Sequence, residues 1–356
     1  NSPVFDGDWS LKQDSLFGMQ VDAAFTSDFT AAIQVVARDR IENDLENSIE
    51  LAFLRYRLSP NLTVRAGRMG TDVFTLSEYR NIGFAYLWVR PPPEFYGMVS
   101  LDSLDGADIA YTTYIGEGFL RASLFYGISQ NDMLGRAGQS PLNMEPIFGT
   151  SLLWETDRWE ARLGAAFCKL GSSIESMWPV EDMLRYASVN GWPQAYQLAE
   201  EMESEGAHIN YYSAGIAYNG NPWSLQAEMG FIDSDFDYFP PTVNAYVSLA
   251  YRLGPVQLYT VAACAESTED RDIVAPSPPV WTPVQQTIQD YKDYTRIDQQ
   301  SVSFGMRWDI RSDLALKVQW DHHWVSAYGG FLWSQDTTYD DDRTLDTFSV
   351  NLNFIF

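Results

Sequence analysis

The C-terminal end of the chain alternates regularly between apolar and polar residues. From Phe348 to Phe356 every second residue is apolar, and the residues between them are polar as far as Asn353. A period of two places successive side chains on opposite faces of a β-strand. This stretch therefore predicts a strand with one apolar face and one polar face, which ends on an aromatic residue.

The same period of two recurs along the whole chain. From Trp223 to Phe231, for example, five apolar residues alternate with polar residues or glycine. Fifteen runs of this kind can be recognised, near residues 17–25, 29–38, 48–58, 62–70, 107–115, 118–128, 148–154, 159–168, 212–218, 223–231, 243–252, 256–266, 301–310, 314–323 and 346–356. A short strand at 4–9 would bring the number to sixteen.

The connections between these runs alternate in length. Short turns fall at 26–28, 59–61, 116–117, 156–158, 219–222, 253–255 and 311–313, and long connections at 41–47, 71–106, 129–146, 170–208, 232–241, 267–298 and 325–343. An outer-membrane barrel has short turns at one rim and long loops at the other, whereas a soluble sandwich has no reason to keep its long loops on one side. We therefore expect residues 1–356 to form one all-β domain, a transmembrane antiparallel β-barrel of about 16 strands.

Composition agrees with a membrane barrel. Aromatic residues make up 15% of the 356 residues, and no apolar run reaches the roughly 18 residues of a membrane-spanning helix. Several aromatic residues, including Trp154, Trp159, Trp223 and Trp308, lie near strand ends on the apolar face. A barrel carries a belt of aromatic residues there, although cross-strand packing in a soluble sheet is an alternative explanation.

Charge and candidate chemistry exclude several functions. The net charge of -25, from 48 acidic and 23 basic residues, argues against nucleic-acid binding. Cys168 and Cys264 show no disulfide or metal spacing, and no cofactor is implied. The acidic stretches 233–237 and 336–342 lack the spacing of a calcium loop, so we interpret them as solvated loops that could bridge lipopolysaccharide through divalent ions. His322 and His323 would point to opposite faces of a strand without a serine partner, so no enzymatic activity is expected.

Residues 71–106 are too long and too aromatic for a simple connector. The apolar stretch 84–89 precedes three prolines at 91–93, which stiffen the backbone and remove hydrogen-bond donors. So much apolar surface would be buried best against a wall. We therefore expect this segment to fold into the mouth of the barrel. The long connection 170–208 contains two helix-like pieces, starting near Pro179 and Pro193, and would form an extracellular cap.

Two short motifs resemble the Gram-negative trimeric general porins. Residues 93–97 read Pro-Glu-Phe-Tyr-Gly, similar to the family's Pro-Glu-Phe-Gly-Gly in its third loop, with Tyr96 in place of a glycine. Gly67-Arg68-Met69-Gly70 is similar to an element that ends a strand in that family and aims an arginine at the constriction. The terminal Phe356 also matches the family's ending. The resemblance implies a 16-stranded trimeric barrel whose third loop narrows the pore, or a substrate-selective or phosphate-type relative.

Charged residues on the polar face supply the candidate pore. The predicted constriction comprises Arg68, Arg80, Arg90, Glu94, Asp102 and Asp105. The predicted pore wall comprises Arg38, Arg40, Arg121, Arg162, Arg252, Arg307 and Lys317. A basic wall opposite an acidic loop would create a transverse field at the narrowest point. Scattered charges in lumen water, each strongly screened, are the alternative.

One feature conflicts with simple alternation. Arg55 and Arg57 share parity with Ile49, Leu51 and Phe53, and Arg68 shares parity with Leu62, Val64 and Ala66. Strict alternation would place these arginines towards lipid, at a cost of roughly 2–4 kcal/mol each at mid-bilayer. Either these strands contain bulges, or their outer face meets another subunit, as in a homotrimer.

The sequence thus favours a porin of the Gram-negative bacterial outer membrane, surrounded by lipid and lipopolysaccharide. It would pass small hydrophilic solutes or ions passively. A substrate-selective anion or dicarboxylate channel and a plugged surface receptor or scaffold barrel remain alternatives.

Overall fold

The computed structural model describes residues 10–11, 15–39, 45–77, 79–98, 103–135, 138–333 and 340–356, and the side chains of all of these except 45–46, 132–135 and 138–139. The expected first strand at 4–9 therefore lies outside the described residues. Of the acidic stretch 336–342, only residues 340–342 are described.

Fifteen antiparallel strands form a single sheet in which each strand pairs with its neighbours in sequence. The strands are β1 Leu16–Ala24, β2 Phe29–Arg38, β3 Ile49–Ser59, β4 Leu62–Met69, β5 Leu104–Ile115, β6 Gly118–Gly135, β7 Gly138–Glu155, β8 Trp159–Leu170, β9 His208–Asn219, β10 Trp223–Ser234, β11 Thr242–Leu253, β12 Val256–Ser267, β13 Ile297–Arg311, β14 Leu314–Gly330 and β15 Arg343–Phe354. The prediction of an all-β antiparallel architecture is confirmed.

The connections between strands follow the predicted alternation with one exception. Six of the seven predicted long connections are present, but residues 129–146 are mostly strand, because β6 continues to Gly135 and β7 begins at Gly138. The ladder between these strands shifts register after Gly127 and then resumes. Such a bulge breaks the period of two, which explains why the sequence pattern indicated a loop here.

Helices are confined to the long connections. They are α1 Leu45–Ser48, α2 Pro93–Tyr96, α3 Trp178–Val189, α4 Ala195–Glu201 and α5 Thr282–Tyr294, with single 3₁₀ turns at Gly83–Ala85, Glu175–Met177 and Pro279–Trp281. The two helices between β8 and β9 agree with the predicted helix-like pieces, and α5 was not foreseen. In the described parts of the chain, no helix has the length and apolarity required to cross a membrane.

The two faces of the sheet differ in character. On the face that we call outer, large apolar side chains are exposed, for example Leu124, Met229 and Phe348. Aromatic rings pair across neighbouring strands on this face near the short turns, with centroid distances of 4.8 Å for Trp159 and Tyr218 and 4.7 Å for Trp223 and Tyr251. The opposite, inner face carries most of the buried polar residues.

The register of β3 resolves the conflict over its arginines. Arg55 pairs directly with Arg65, and Leu54 pairs with Ala66. Arg55 and Arg57 therefore lie on the inner face with Phe53, whereas Leu54, Tyr56 and Leu58 form the exposed outer face. A register shift at the start of β3 accompanies this arrangement. The expected parity was misleading because both faces of β3 contain apolar residues.

The two edge strands of the sheet approach each other. The ring of Phe17 on β1 stacks on that of Phe356, with centroids 6.4 Å apart. No backbone pairing of β1 with β15 is present among the described residues. The approach of the two edges shows that the sheet is strongly curved.

The main hydrophobic core lies on the inner face. It unites residues of segment 71–98, such as Trp88 and Phe95, with inner-face residues such as Ile147 and with residues of α3, α4 and α5, such as Leu184 and Ile288. A continuous apolar cluster therefore runs from helices α3, α4 and α5, which we call the cap, to the sheet.

Candidate functional site

Segment 71–98 begins by contacting strands β7 to β10. Asp72 forms an ion pair with Arg162 of β8 and accepts a hydrogen bond from Ser151 Oγ of β7 at 3.1 Å. The backbone N–H of Thr75 donates to Glu228 Oε2 of β10 at 2.9 Å. All of these residues are buried. The start of the segment is therefore anchored to strands that lie far from β4 in the sheet.

The segment then crosses to strands on the other side. Arg38 Nη1 of β2 donates to Asn81 Oδ1 at 3.3 Å. Only two residues further on, the carbonyl of Gly83 accepts a hydrogen bond from Lys317 Nζ of β14 at 2.6 Å. Because contacts to β8, β2 and β14 come from one short piece of chain, the inner face of the sheet curves around the segment.

Residues 84–90 run along β13 and β14. Arg307 Nη1 donates to the carbonyl of Phe84 at 2.8 Å, and the N–H of Val89 donates to Gln319 Oε1 at 2.9 Å. The indole N–H of Trp88 donates to Ser248 Oγ of β11 at 2.9 Å. The aromatic residues of this stretch are therefore fixed by polar contacts as well as by burial.

Glu94, in α2, has no exposed surface. Gln299 Nε2 donates to Glu94 Oε1 at 2.5 Å, and His323 Nδ1 lies 3.1 Å from the same oxygen. Burial alone would raise the pKa of Glu94, but the contact with His323 and the hydrogen bond from Gln299 lower that pKa overall. Trp333 Nε1 donates to Gln299 Oε1 at 2.6 Å and so holds the glutamine in place.

Tyr96 occupies the position where the resemblance leads one to expect glycine. Its hydroxyl donates to Glu228 Oε1, and Tyr246 donates to the same oxygen at 2.6 Å. Burial, followed by the negative charges nearby, raises the pKa of Tyr96 well above its ordinary value. The tyrosine is therefore a neutral donor that ties α2 to β10 and β11.

The structure places the described residues of the predicted constriction at several different positions. Arg68 and Asp105 form a two-bond ion pair, with Nε–Oδ1 2.9 Å and Nη2–Oδ2 2.8 Å, on the outer face opposite Ala52. Glu94 is fully buried, and Arg80 and Arg90 are partly exposed side chains of the segment. Asp102 lies outside the described residues. Among the described residues Glu94 has Gln299 and His323 as partners, and Asp105 has Arg68, so no ion pair between a predicted wall arginine and Glu94 is described.

The described residues of the predicted wall lie on the inner face, and most of them contact other groups of the protein. Arg38 pairs with Glu50 at 3.3 Å, and Arg162 pairs with Asp72. Arg307 and Lys317 bind backbone carbonyls of the segment. Arg121 lies opposite Thr112. The exposed Arg252 donates to Gln257 Oε1 at 3.0 Å and pairs with Asp309 at 3.6 Å. Arg40 lies outside the described residues.

Sequence reasoning missed the inner-face arginines of β3 and β4. Arg57 is exposed and lies 4.0 Å from Asp28, and Arg55 is exposed beside the ring of Phe53. Arg65 is buried in an ion pair with Asp108. The signal was present in the outward apolar residues Leu54, Tyr56 and Leu58, but the apolar residues of the inner face concealed it.

Space accessible to water remains beside the segment. Gln20 and Asp22 of β1 are exposed on the inner face, as are Arg55 and Arg57. Near the short turns, a cavity of about 400 Å³ is lined by Phe84, Arg307, Asp309, Arg311 and Ser312. Exposed polar side chains therefore lie on the inner face of β1 and β3, and the cavity lies beside the turn between β13 and β14.

The helices form a cap that is tied together by ion pairs. Lys292 of α5 contacts Glu201 of α4 at 3.1 Å and Asp272 at 2.5 Å. Burial lowers the pKa of Lys292, but the hydrogen bonds to these carboxylates outweigh that effect and raise the pKa overall. Arg271 pairs with Asp293 of the same helix at 2.7 Å. Ion pairs therefore join the connection between β8 and β9 to the connection between β12 and β13.

Comparison with known proteins gives a match to the fold alone. No protein-family model matches the chain, and no curated protein sequence matches it. The solved structure of OmpF from Salmonella typhi in complex with daunomycin is 12% identical, with a TM-score of 0.54, and the match covers 95% of this chain and 89% of that chain. An anion-selective porin from Comamonas acidovorans is 11% identical, with a TM-score of 0.54 and coverages of 96% and 89%. OmpT, an outer membrane protein of Vibrio cholerae, is 10% identical, with a TM-score of 0.51 and coverages of 95% and 88%.

These similarities extend over nearly the whole chain and over most of each solved structure. The chain therefore has the fold of the outer-membrane porins. At such low sequence identity, similarity of fold does not define the solute or the assembly.

Proposed function

We propose that this chain is a porin of the bacterial outer membrane that lets small hydrophilic solutes or ions diffuse passively. The observation that supports this most directly is the path of segment 71–98, which crosses the inner face from Arg162 to Arg38 and Lys317 while the outer face is apolar. A sheet that is apolar outside and contains charged residues inside suits a barrel in lipid. The segment would narrow the interior and leave the passage next to β1–β4.

The proposed barrel has about 16 strands and closes between the two edges of the sheet. The stacking of Phe17 on Phe356 supports closure because it brings the two edges together. A closed barrel has no exposed edge, and among β-structures only a closed barrel leaves no backbone group unpaired in lipid. A disulfide formed on introducing one cysteine near each edge would test this closure.

The proposed assembly is a homotrimer that contacts through β2–β5. The ion pair of Arg68 and Asp105 lies on the outer face there, surrounded by the small side chains of Ala52, Ala66 and Ala107. A charged pair costs less at a protein contact than in lipid. A monomer observed by native mass spectrometry in mild detergent would count against this assembly.

An anion-selective channel is a second candidate, favoured by the arginines that face the open side. Arg57 has a side chain that is 57% exposed, and Arg55 and Arg121 lie on the same inner face. The acids Glu50 and Asp108 of this region are paired with Arg38 and Arg65, whereas Asp28 lies 4.0 Å from Arg57. Exposed positive charge at a narrow passage would raise the local concentration of anions.

Planar-bilayer recording tests the proposal. A steady conductance from the purified, folded protein would support a channel, and the reversal potential in a salt gradient would give the ion preference. A folded protein without conductance would instead favour the plugged receptor or scaffold barrel, for which the continuous core between cap and segment would be the structural reason.

A further inference from the structure

The side chain of Lys317 is the most unusual cation in the interior. Only 1% of the residue is exposed. Its ammonium group donates to three backbone carbonyls, those of Gly83 at 2.6 Å, Tyr86 at 2.6 Å and Trp88 at 2.8 Å. An ammonium group has three donors, so these carbonyls satisfy it completely. The ring of Tyr86 lies 4.6 Å from the same nitrogen.

The partners of this ammonium group are carbonyls and not carboxylates. Among the described residues, Lys317 forms no ion pair within 4.0 Å. Burial of a charge is costly unless the charge is well coordinated. Rings of backbone carbonyls can replace the hydration shell of a cation, and here the turn 83–88 performs that role for an ammonium group.

The conformation of the turn depends on the cation in return. Three carbonyl oxygens that converge on one point repel each other, because their dipoles present negative ends to the same space. Residues 83–88 include one short 3₁₀ helix, Gly83–Ala85, whose N-terminus has no hydrogen bond from a capping side chain. An ammonium group at the centre removes the repulsion and gives each oxygen a hydrogen bond.

The neighbouring strand adds a second cation to the same turn. Arg307 lies directly opposite Lys317 in the β13–β14 ladder. Its Nη1 donates to the carbonyls of Phe84 at 2.8 Å and Tyr86 at 3.0 Å. Arg307 is also bound to Asp309 and therefore has a carboxylate partner, which Lys317 lacks. The two cations thus hold four carbonyls, and Lys317 provides the central contact.

We propose that residues 83–88 form a binding site for a primary ammonium ion, and that Lys317 is the ammonium that occupies it. Lys317 is then a positioning residue that fixes the segment in the interior. The site itself follows from the contacts, whereas its effect on the width of a pore rests on the proposed channel function. When the lysine side chain is shortened, the vacated site accepts a free primary ammonium ion of matching length.

The test is chemical rescue of Lys317→Ala with n-propylammonium, which restores the missing methylene groups and the ammonium. Tetramethylammonium is the control ion because it has a similar charge and no N–H donor. Arg121→Ala is the control variant, since Arg121 is an inner-face cation on β6, opposite Thr112, and forms no hydrogen bond or ion pair with the described residues of segment 71–98. Lys317→Met keeps the aliphatic chain and leaves no room for the added ion.

Amide hydrogen exchange over residues 83–90 is the first readout, and it does not depend on conduction. We expect exchange in Lys317→Ala and Lys317→Met to be roughly tenfold faster or more, as for a locally opened segment, and unchanged in Arg121→Ala. n-Propylammonium should restore protection in Lys317→Ala only. Unchanged exchange in both Lys317 variants, or equal effects of the two ions, would overturn the proposal. If Lys317→Ala folds only when n-propylammonium is present during refolding, the proposal is supported.

Single-channel current is the second readout. We expect Lys317→Ala to show a noisier current that n-propylammonium makes steady again. Rescue of exchange in a protein that carries no current would support the ammonium site and contradict the channel function, so the two proposals can fail separately.

Discussion

Replacement of Glu94 by glutamine should destabilise the folded protein and remove part of its sensitivity to acid. Glu94 Oε1 accepts a bond from Gln299 and contacts His323, and Glu94 has no exposed surface. Bonds to a charged acceptor are about twice as strong as neutral ones, so the loss of charge in two bonds costs about 2 kcal/mol in the free energy of unfolding.

The pH dependence has a defined sign. The pKa of Glu94 is lowered from 4.5 in the folded protein. A group with a lowered pKa contributes stability above its ordinary pKa, and this contribution is lost as the pH falls through the folded value. The wild-type protein should therefore lose more stability than Glu94→Gln when the pH is lowered from about 7 to about 3.5.

Urea unfolding in phospholipid vesicles, followed by tryptophan fluorescence, measures this effect. Glu205→Gln is the matched control, because Glu205 is exposed in the cap and should change stability by less than about 0.5 kcal/mol. Equal stabilities of Glu94→Gln and wild type at neutral pH, or identical acid sensitivities, would refute the role assigned to the buried carboxylate.

Three further predictions follow from the placement of other residues. Trp88→Ala should lower the free energy of unfolding by about 3–5 kcal/mol in urea unfolding, because the indole is buried. The control Trp178→Ala, in the exposed cap, should lower it by less than about 1 kcal/mol. Similar losses in the two variants would contradict the burial of the segment. Arg68→Ala should leave the reversal potential unchanged and weaken the oligomer in gel filtration, and a shifted potential would place this side chain at the pore. Arg57→Gln should move the reversal potential towards cations, and no shift would exclude Arg57 from the ion path.

The sequence was informative where one face of a strand is uniformly apolar. The period of two is clear over residues 223–231 of β10 and 348–354 of β15, whose outward residues are apolar and whose inward residues are polar or glycine. The period of two did not identify the faces of β3, because Leu51 and Phe53 face inward beside Arg55. It also did not predict the extended ends of β6 and β7, because a bulge shifts the register there. Local pattern cannot assign a face when both faces are apolar.

The surroundings of the candidate site were less accessible from the sequence. The partners of Glu94 are 205 and 229 residues away along the chain, at Gln299 and His323. The motif at 93–97 identified the segment, but only the curvature of the sheet determines which strands it contacts. For the same reason Lys317 looked like a wall residue, although its ammonium group binds the segment.

The central claim is that the interior conducts beside segment 71–98, and single-channel recording in a planar bilayer tests it most directly. We predict that the purified, folded protein gives a steady open-state conductance whose reversal potential in a salt gradient changes with Arg57→Gln. A protein that is fully folded by circular dichroism and inserted in the bilayer, yet electrically silent, would contradict the claim.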